Sequence, residues 1–362
     1  MSISVPARLY GGLLYALDVK KLIVEDTPLK SIEPQTFLGV NRTLEELQLV
    51  RTHLSSFPKE ALERIDVSDN YVQEIQNLAF KDLYLVHINL SHNAISKIEP
   101  GAFENCVNIT VLDLSYNKIS EFGPRVFDEV SFATELQLSY NNLTDLSKVP
   151  LANMTGLKTL NVTNNQLRTI PRNTFPKLYE LHTIDVSHNE ISEIYNGVFQ
   201  TLFGLRYLNM SYNLLKDIKS ATFGPVPTLL ELDMSHNTLS EVSRGALNRL
   251  VSLQQLSVAY NQLTTIFQIP SALSRLYLNY NEIATIPARA WPSANALLSL
   301  DLSDNFLQDN LSKGSFLNLV TLQKLDLSRN FMTEPPWESL SDTPSLQFLH
   351  LEVSAVVVIN RG

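Results

Sequence analysis

Apolar residues recur along the chain in one arrangement: apolar-x-x-apolar-x-apolar-x-x-Asn-x-apolar. "LDLSYNKI" occupies Leu112–Ile119, "LNVTNNQL" Leu160–Leu167, and "IDVSHNEI", "LNMSYNLL", "LDMSHNTL", "LSVAYNQL", "LYLNYNEI", "LDLSDNFL" and "LDLSRNFM" follow. The central Leu-x-Leu alternates with period two, the signature of a short strand with one buried face. Leu112 and Leu114 therefore point inward and Asp113 outward. The Asn column comprises Asn70, Asn93, Asn117, Asn141, Asn165, Asn189, Asn213, Asn237, Asn261, Asn281, Asn305 and Asn330. From Asn93 to Asn261 every step is 24 residues. Degenerate copies place Thr27 and Thr52 in the Asn slot near the start and Ser354 near the end.

A repeat of this length carries one strand and a return segment, so successive strands stack in parallel. No repeat buries its apolar face alone, and stability comes from neighbours. The Asn ends the strand and turns the chain inward. Its amide is expected to bond turn backbone that would otherwise be buried and unpaired, so the twelve Asn form a structural ladder. The second half of each repeat reads I/L-x-x-I-x-x-x-x-F-x-x-L. Phe37, Phe80, Phe103, Phe127, Phe175, Phe199, Phe223 and Phe316 are expected to fill the wider outer side, with Trp291 and Leu247 replacing Phe in two repeats.

These motifs resemble the leucine-rich repeats of animal extracellular proteins. The resemblance implies an α/β fold: a curved horseshoe solenoid of about fifteen repeats of ~24 residues, with a parallel β-sheet on the concave face. Residues 1–362 are read as a single array and as a piece of a longer one. Residues 53–70 form an irregular short repeat, because Thr52 and Asn70 are 18 residues apart. A second short step, 20 residues, separates Asn261 from Asn281. Extracellular members of the family usually carry a Cys-rich cap at each end, and this chain has neither. It closes on Val356, Val357, Val358 and Ile359. The apolar run Leu9–Leu17 makes an unconvincing signal peptide and reads instead as the back of a preceding repeat.

Composition narrows the function. Sixty Leu and 30 Asn stand against 12 Gly, as the repeat requires. A single Cys permits no internal disulfide, and Cys106 fills the last apolar slot of its repeat, equivalent to Leu178 or Leu202. It reads as a buried hydrophobe, with a reactive thiol as the alternative. The net charge of −9 gives nucleic acid no electrostatic footprint. No apolar run reaches the roughly 20 residues of a membrane span, so membrane attachment would need an anchor outside this chain. There is no G-x-S-x-G, no phosphate loop and no H-E-x-x-H, so the chain is read as no enzyme and no cofactor is expected.

Eight N-x-S/T sequons mark candidate glycosylation sites: Asn41, Asn89, Asn108, Asn142, Asn153, Asn161, Asn209 and Asn310. Before eight of the twelve ladder Asn runs a column of His92, Tyr116, Tyr140, His188, Tyr212, His236, Tyr260 and Tyr280. It reads either as a contact stripe, since Tyr is enriched at interfaces, or as the style of the repeat. The middle strand position is Asp66, Asn89, Asp113, Gln137, Asn161, Asp185, Asn209, Asp233, Ser257, Tyr277, Asp301 and Asp326. That row reads as a face for a basic partner or as a solvated face. The sequon-free stretch from His236 to Asp304 carries Tyr260, Tyr277 and Tyr280, the candidate protein-binding residues.

Long, cap-poor arrays of this kind resemble the insect chaoptin-like proteins of the cell surface and matrix. The resemblance implies a non-enzymatic extracellular or cell-surface scaffold for cell adhesion or matrix organisation. Its partners would be protein ligands, a second copy of the chain included. The alternative is a ligand-binding ectodomain fragment of a Toll-like or hormone-complex receptor or binding protein.

Overall fold

In the computed structural model the described residues are 8–9, 19–29, 31–32, 36, 44, 46–54, 64–81, 87–106, 109–287 and 289–352. Phe37, Asn41, Asn108, Ser354, residues 10–17 and the apolar stretch Val356–Ile359 lie outside them, as do residues 55–63 of the irregular repeat. The chain divides into two compact units, Met1–Asp185 and Val186–Gly362.

In the first unit the strands Lys21–Glu25, Glu46–Val50, Arg64–Asp66, His87–Asn89, Val111–Asp113, Glu135–Gln137, Thr159–Asn161 and Thr183–Asp185 lie side by side in sequence order. Every pair is parallel, and like positions face each other: Leu112 pairs with Leu136, and Leu136 with Leu160. The second unit repeats the arrangement with Tyr207–Asn209, Glu231–Asp233, Gln255–Ser257, Arg275–Tyr277, Ser299–Asp301, Lys324–Asp326 and Phe348–His350. The 18-residue step leaves this register intact, since Leu47 pairs with Ile65 and Gln48 with Asp66.

Period-two alternation explains the burial. Leu112 and Leu114 are fully buried, while Asp113 between them is half-exposed. The ladder continues past the strand. Leu114 N–H donates to Gln137 O, Tyr116 N–H to Ser139 O and Asn117 N–H to Tyr140 O, at 2.9, 2.9 and 3.1 Å. Phe80, Phe103, Phe127, Phe175, Phe199, Phe223 and Phe316 are buried on the back, with Phe80 and Phe103 stacked at 5.3 Å. Trp291 and Leu247 are buried in their two repeats, and the Trp291 indole N–H donates to Ser315 O at 2.8 Å. Cys106 is fully buried, its thiol donating to Phe80 O at 2.6 Å.

The back carries turns and short parallel strand pairs, such as Glu74–Ile75 with Lys97–Ile98 and Asp217–Ile218 with Glu241–Val242. Helix is scarce: among the described residues the one α-helix is Trp337–Leu340, beside two single-turn 3₁₀ segments, Leu146–Lys148 and Leu151–Asn153. Return segments this short leave room for a turn and two strand residues but not for a helix of several turns. The architecture is a parallel-sheet solenoid. Among the described residues no helix is long and apolar enough to cross a membrane.

Candidate functional site

Each strand ends in a turn built by the ladder Asn. The Asn117 amide donates to Leu114 O and Ser115 O of its own turn, and to Leu90 O one repeat back. Its carbonyl accepts from Ile95 N–H of the preceding repeat at 2.9 Å. Asn213 makes the same four bonds, to Val186 O, Met210 O, Ser211 O and Ile191 N–H. The side chain therefore ties one turn to the next. Where Thr52 takes the Asn slot, its hydroxyl and N–H both donate to the Asn70 carbonyl. Nearly all of the ladder is buried, and Asn93 is half-buried.

The residue before each ladder Asn adopts left-handed backbone. His92, Tyr116, Tyr140, His188, Tyr212, His236, Tyr260 and Tyr280 all have φ between 51° and 54°. So do Asp26, Arg51, Asp69, Asn164, Asp304 and Arg329 in the same slot. Residues with a Cβ avoid this region at a cost of roughly 1–2 kcal/mol. It persists because the Asn bonds on either side over-determine the turn.

This backbone sets the side chains face to face. In the first unit His92, Tyr116 and Tyr140 stack at 4.1 Å between ring centroids. In the second His188, Tyr212, His236, Tyr260 and Tyr280 form a continuous stack at 4.0–4.1 Å, with ring planes 9–12° apart. Beyond Tyr280 the slot holds a two-pronged ion pair, Arg329 to Asp304 at 2.7 and 2.6 Å. The first unit has its counterpart in Arg51 and Asp26, at 2.6 and 2.9 Å. Tyr260 and Tyr280 are each 40% exposed although their faces are covered by each other. What they leave exposed is ring edges and hydroxyls.

Packing tunes the column's titration. Burial pushes the His236 imidazole below its ordinary value, with His188 adding to this and Asp233 opposing it. Burial and the Tyr280 hydroxyl raise the Tyr260 phenol, and the Tyr140 hydroxyl raises that of Tyr116. Asp304 raises the Arg329 guanidinium.

The structure brings Tyr260 and Tyr280 together. Tyr277 lies on the strand Arg275–Tyr277, half-buried, with Ser257 and Asp301 as register neighbours. The sequons divide in two. Asn142, Asn153 and Asn310 are exposed. Asn89, Asn161 and Asn209 are half-buried on strands, each carbonyl accepting the N–H two residues on, from Ser91, Thr163 and Ser211. The acidic members of the middle strand position do the same: Asp66, Asp113, Asp233, Asp301 and Asp326 accept from Ser68, Ser115, Ser235, Ser303 and Ser328. This is the Asx turn, in which a short carboxylate or amide mimics a backbone acceptor. Much of the acidic row is thus engaged in ending strands. Sequence reasoning missed this, although a Ser or Thr two residues after each acid was the signal. At Asp326, burial would raise the carboxyl, but Ser328 and His350 outweigh it and hold it below the usual range.

A parallel-sheet solenoid whose turns are joined by an Asn ladder defines a repeat protein, here with an exposed aromatic edge. The Leucine rich repeat family matches residues 60–119, 84–143, 108–167, 133–191, 155–215, 204–263 and 295–353, well over half of the chain. The chain belongs to the leucine-rich repeat family. It is similar to osteomodulin from Rattus norvegicus, 38% identical over 92 residues, which are 25% of this chain and 21% of that protein. The chain thus spans about a fifth of the length of that relative. Among solved structures it resembles the Leptospira interrogans protein LIC12759, with TM-score 0.70 and 25% identity over 93% of this chain and 86% of the other. It also resembles the leucine-rich repeats in the octameric complex of Latrophilin 3, Unc5D and FLRT2, with TM-score 0.57 and 25% identity over 67% of this chain and 74% of the other.

Proposed function

We propose that the chain is a non-enzymatic protein-binding scaffold acting outside the cell, in adhesion or matrix organisation. The observation that carries this is the stack Tyr212–His236–Tyr260–Tyr280, exposed along its edge and fixed by backbone the protein cannot easily relax. Rigid aromatic side chains with polar tips bind at low entropic cost, because few torsions remain to be frozen. The partner is a protein, a second copy of this chain included, and the contact centres on Tyr260, Tyr277 and Tyr280. FLRT2, whose repeats this chain resembles, is found in a complex with other proteins. The repeats of osteomodulin are similar as well.

The secretory route is tested by expression behind a signal sequence, with glycopeptide mass spectrometry. The function is tested by displaying the chain on non-adherent cells. They should aggregate with each other or attach to matrix-coated surfaces more than cells displaying the anchor alone. Equal behaviour of the two would contradict the adhesion reading.

A further inference from the structure

The 20-residue repeat from Asn261 to Asn281 leaves no trace on the sheet. Gln255–Ser257, Arg275–Tyr277 and Ser299–Asp301 pair in regular register, and Asn281 still donates to Val258 O and Leu278 O. The shortfall falls on the back, where Thr264–Leu273 runs "TTIFQIPSAL" without a strand. A recess of about 480 Å³ opens there, between the back turns of the flanking repeats. Ligand sites are typically about 300–1,000 Å³.

The recess is lined by polar and apolar residues together and carries a basic rim. Val242, Leu263 and Phe267 line it and are buried. Arg244 enters from the repeat before and Arg289 from the repeat after, both exposed. Among the described residues no ion pair engages either of them. Glu241 is the single acid of the lining, which keeps a net positive charge on a chain of net charge −9.

One wall of the recess is a strand edge. Glu241–Val242 pairs with Asp217–Ile218 in a sheet of two strands. Ser243 N–H donates to Ile218 O at 2.9 Å. Backbone alternation then turns the N–H and C=O of Val242 the other way, toward the recess. In a regular repeat the following back segment would cover that edge.

We propose that this recess binds an extended acidic segment of a partner protein. The segment adds a third strand beside Glu241–Val242, seats an apolar side chain on Phe267, and sets a carboxylate between Arg244 and Arg289. Backbone pairing gives affinity and the side-chain pockets give selectivity, as in other strand-addition sites. The strand edge favours a peptide over a sulfated glycan, which shares the anionic charge but has no amide to pair. The site is independent of the Tyr column and stands whether or not that reading does.

The test is fluorescence anisotropy of the full chain with a labelled Val-Glu-Val-Glu-Val peptide and its Val-Lys-Val-Lys-Val counterpart. The acidic peptide should bind at least roughly tenfold more tightly than the basic one, with affinity falling as salt rises. Arg244→Glu with Arg289→Glu, both surface changes, should remove that preference. Val242→Pro, which deletes the edge donor, should weaken binding of the acidic peptide. Changing Tyr260, Tyr277 and Tyr280 to Ala should leave it unaltered. Failure of the acidic peptide to bind, equal affinity for both peptides, or wild-type binding by the Arg variant would overturn the proposal. So would binding of dextran sulfate with no binding of either peptide.

Discussion

The side chain that does most for this fold is the ladder Asn, because one amide satisfies four backbone groups across two repeats. At Asn213 the partners are Val186 O, Met210 O, Ser211 O and Ile191 N–H. Asn213→Leu is expected to cost more than the roughly 1–3 kcal/mol of a single orphaned buried group. Asn196→Leu, at an exposed position outside the ladder, should shift the denaturation midpoint little. Equal shifts would refute the ladder's role. The ladder was legible in the sequence because one letter recurs at one place. The left-handed slot before it was not, since that slot accepts His, Tyr, Asn, Asp and Arg alike. Nor was the Asx-turn role of Asp113, because an acid on a strand reads first as a solvated charge. His236 adds a pH dependence. Burial lowers its folded pKa below the ordinary 6.5, so the unfolded chain binds more protons just below that value. Stability then rises with pH through this window. The stability it contributes is present above about 6.5 and is lost as pH falls through the window toward the folded pKa. Urea midpoints at pH 5 and 7.5 should therefore converge when His236 is replaced by Phe, and an unchanged gap would contradict this.

Elements here are short, and their positions follow from the period. Strands of three residues, such as Thr159–Asn161, persist because parallel neighbours pair with them on both sides and the Leu and Ile beneath are buried. Strand positions were therefore readable from Leu-x-Leu alone. The back was less so. Its Phe positions were visible, but neither the two-residue strands nor the scarcity of helix follows from an apolar spacing that suits turns and helices equally. The step of 20 residues was visible as a number. The recess it leaves depends on where the flanking repeats place Arg244, Phe267 and Arg289 in space. Trp291 takes the Phe slot in the next repeat and is bonded to Ser315 O. Its large ring fills more of that layer than a Phe would. Trp291→Ala should therefore cost roughly 3–5 kcal/mol. A thermal midpoint close to that of the parent protein would show that the layer closes over the gap.

At the scale of the molecule, stability is a sum of repeats and the interfaces between them, so no one layer is a centre. Function must then lie on what the repeats present outward. On expression through the secretory route, glycans are expected at exposed Asn142, Asn153 and Asn310 before half-buried Asn89, Asn161 and Asn209. Glycopeptide occupancies ranked the other way would place the strand faces in a different environment during synthesis. The candidate contact residues were only partly legible. Tyr260 and Tyr280 could be picked out from the sequon-free stretch, but covered faces and exposed edges are properties of the stack. The central claim is that this edge binds a protein. It is tested most directly by cell aggregation with the variant Tyr260→Ala, Tyr277→Ala, Tyr280→Ala, displayed at the same density as the parent chain and checked for fold by circular dichroism. The account predicts a folded variant that no longer supports adhesion. A folded variant that adheres at the strength of the parent chain would contradict it.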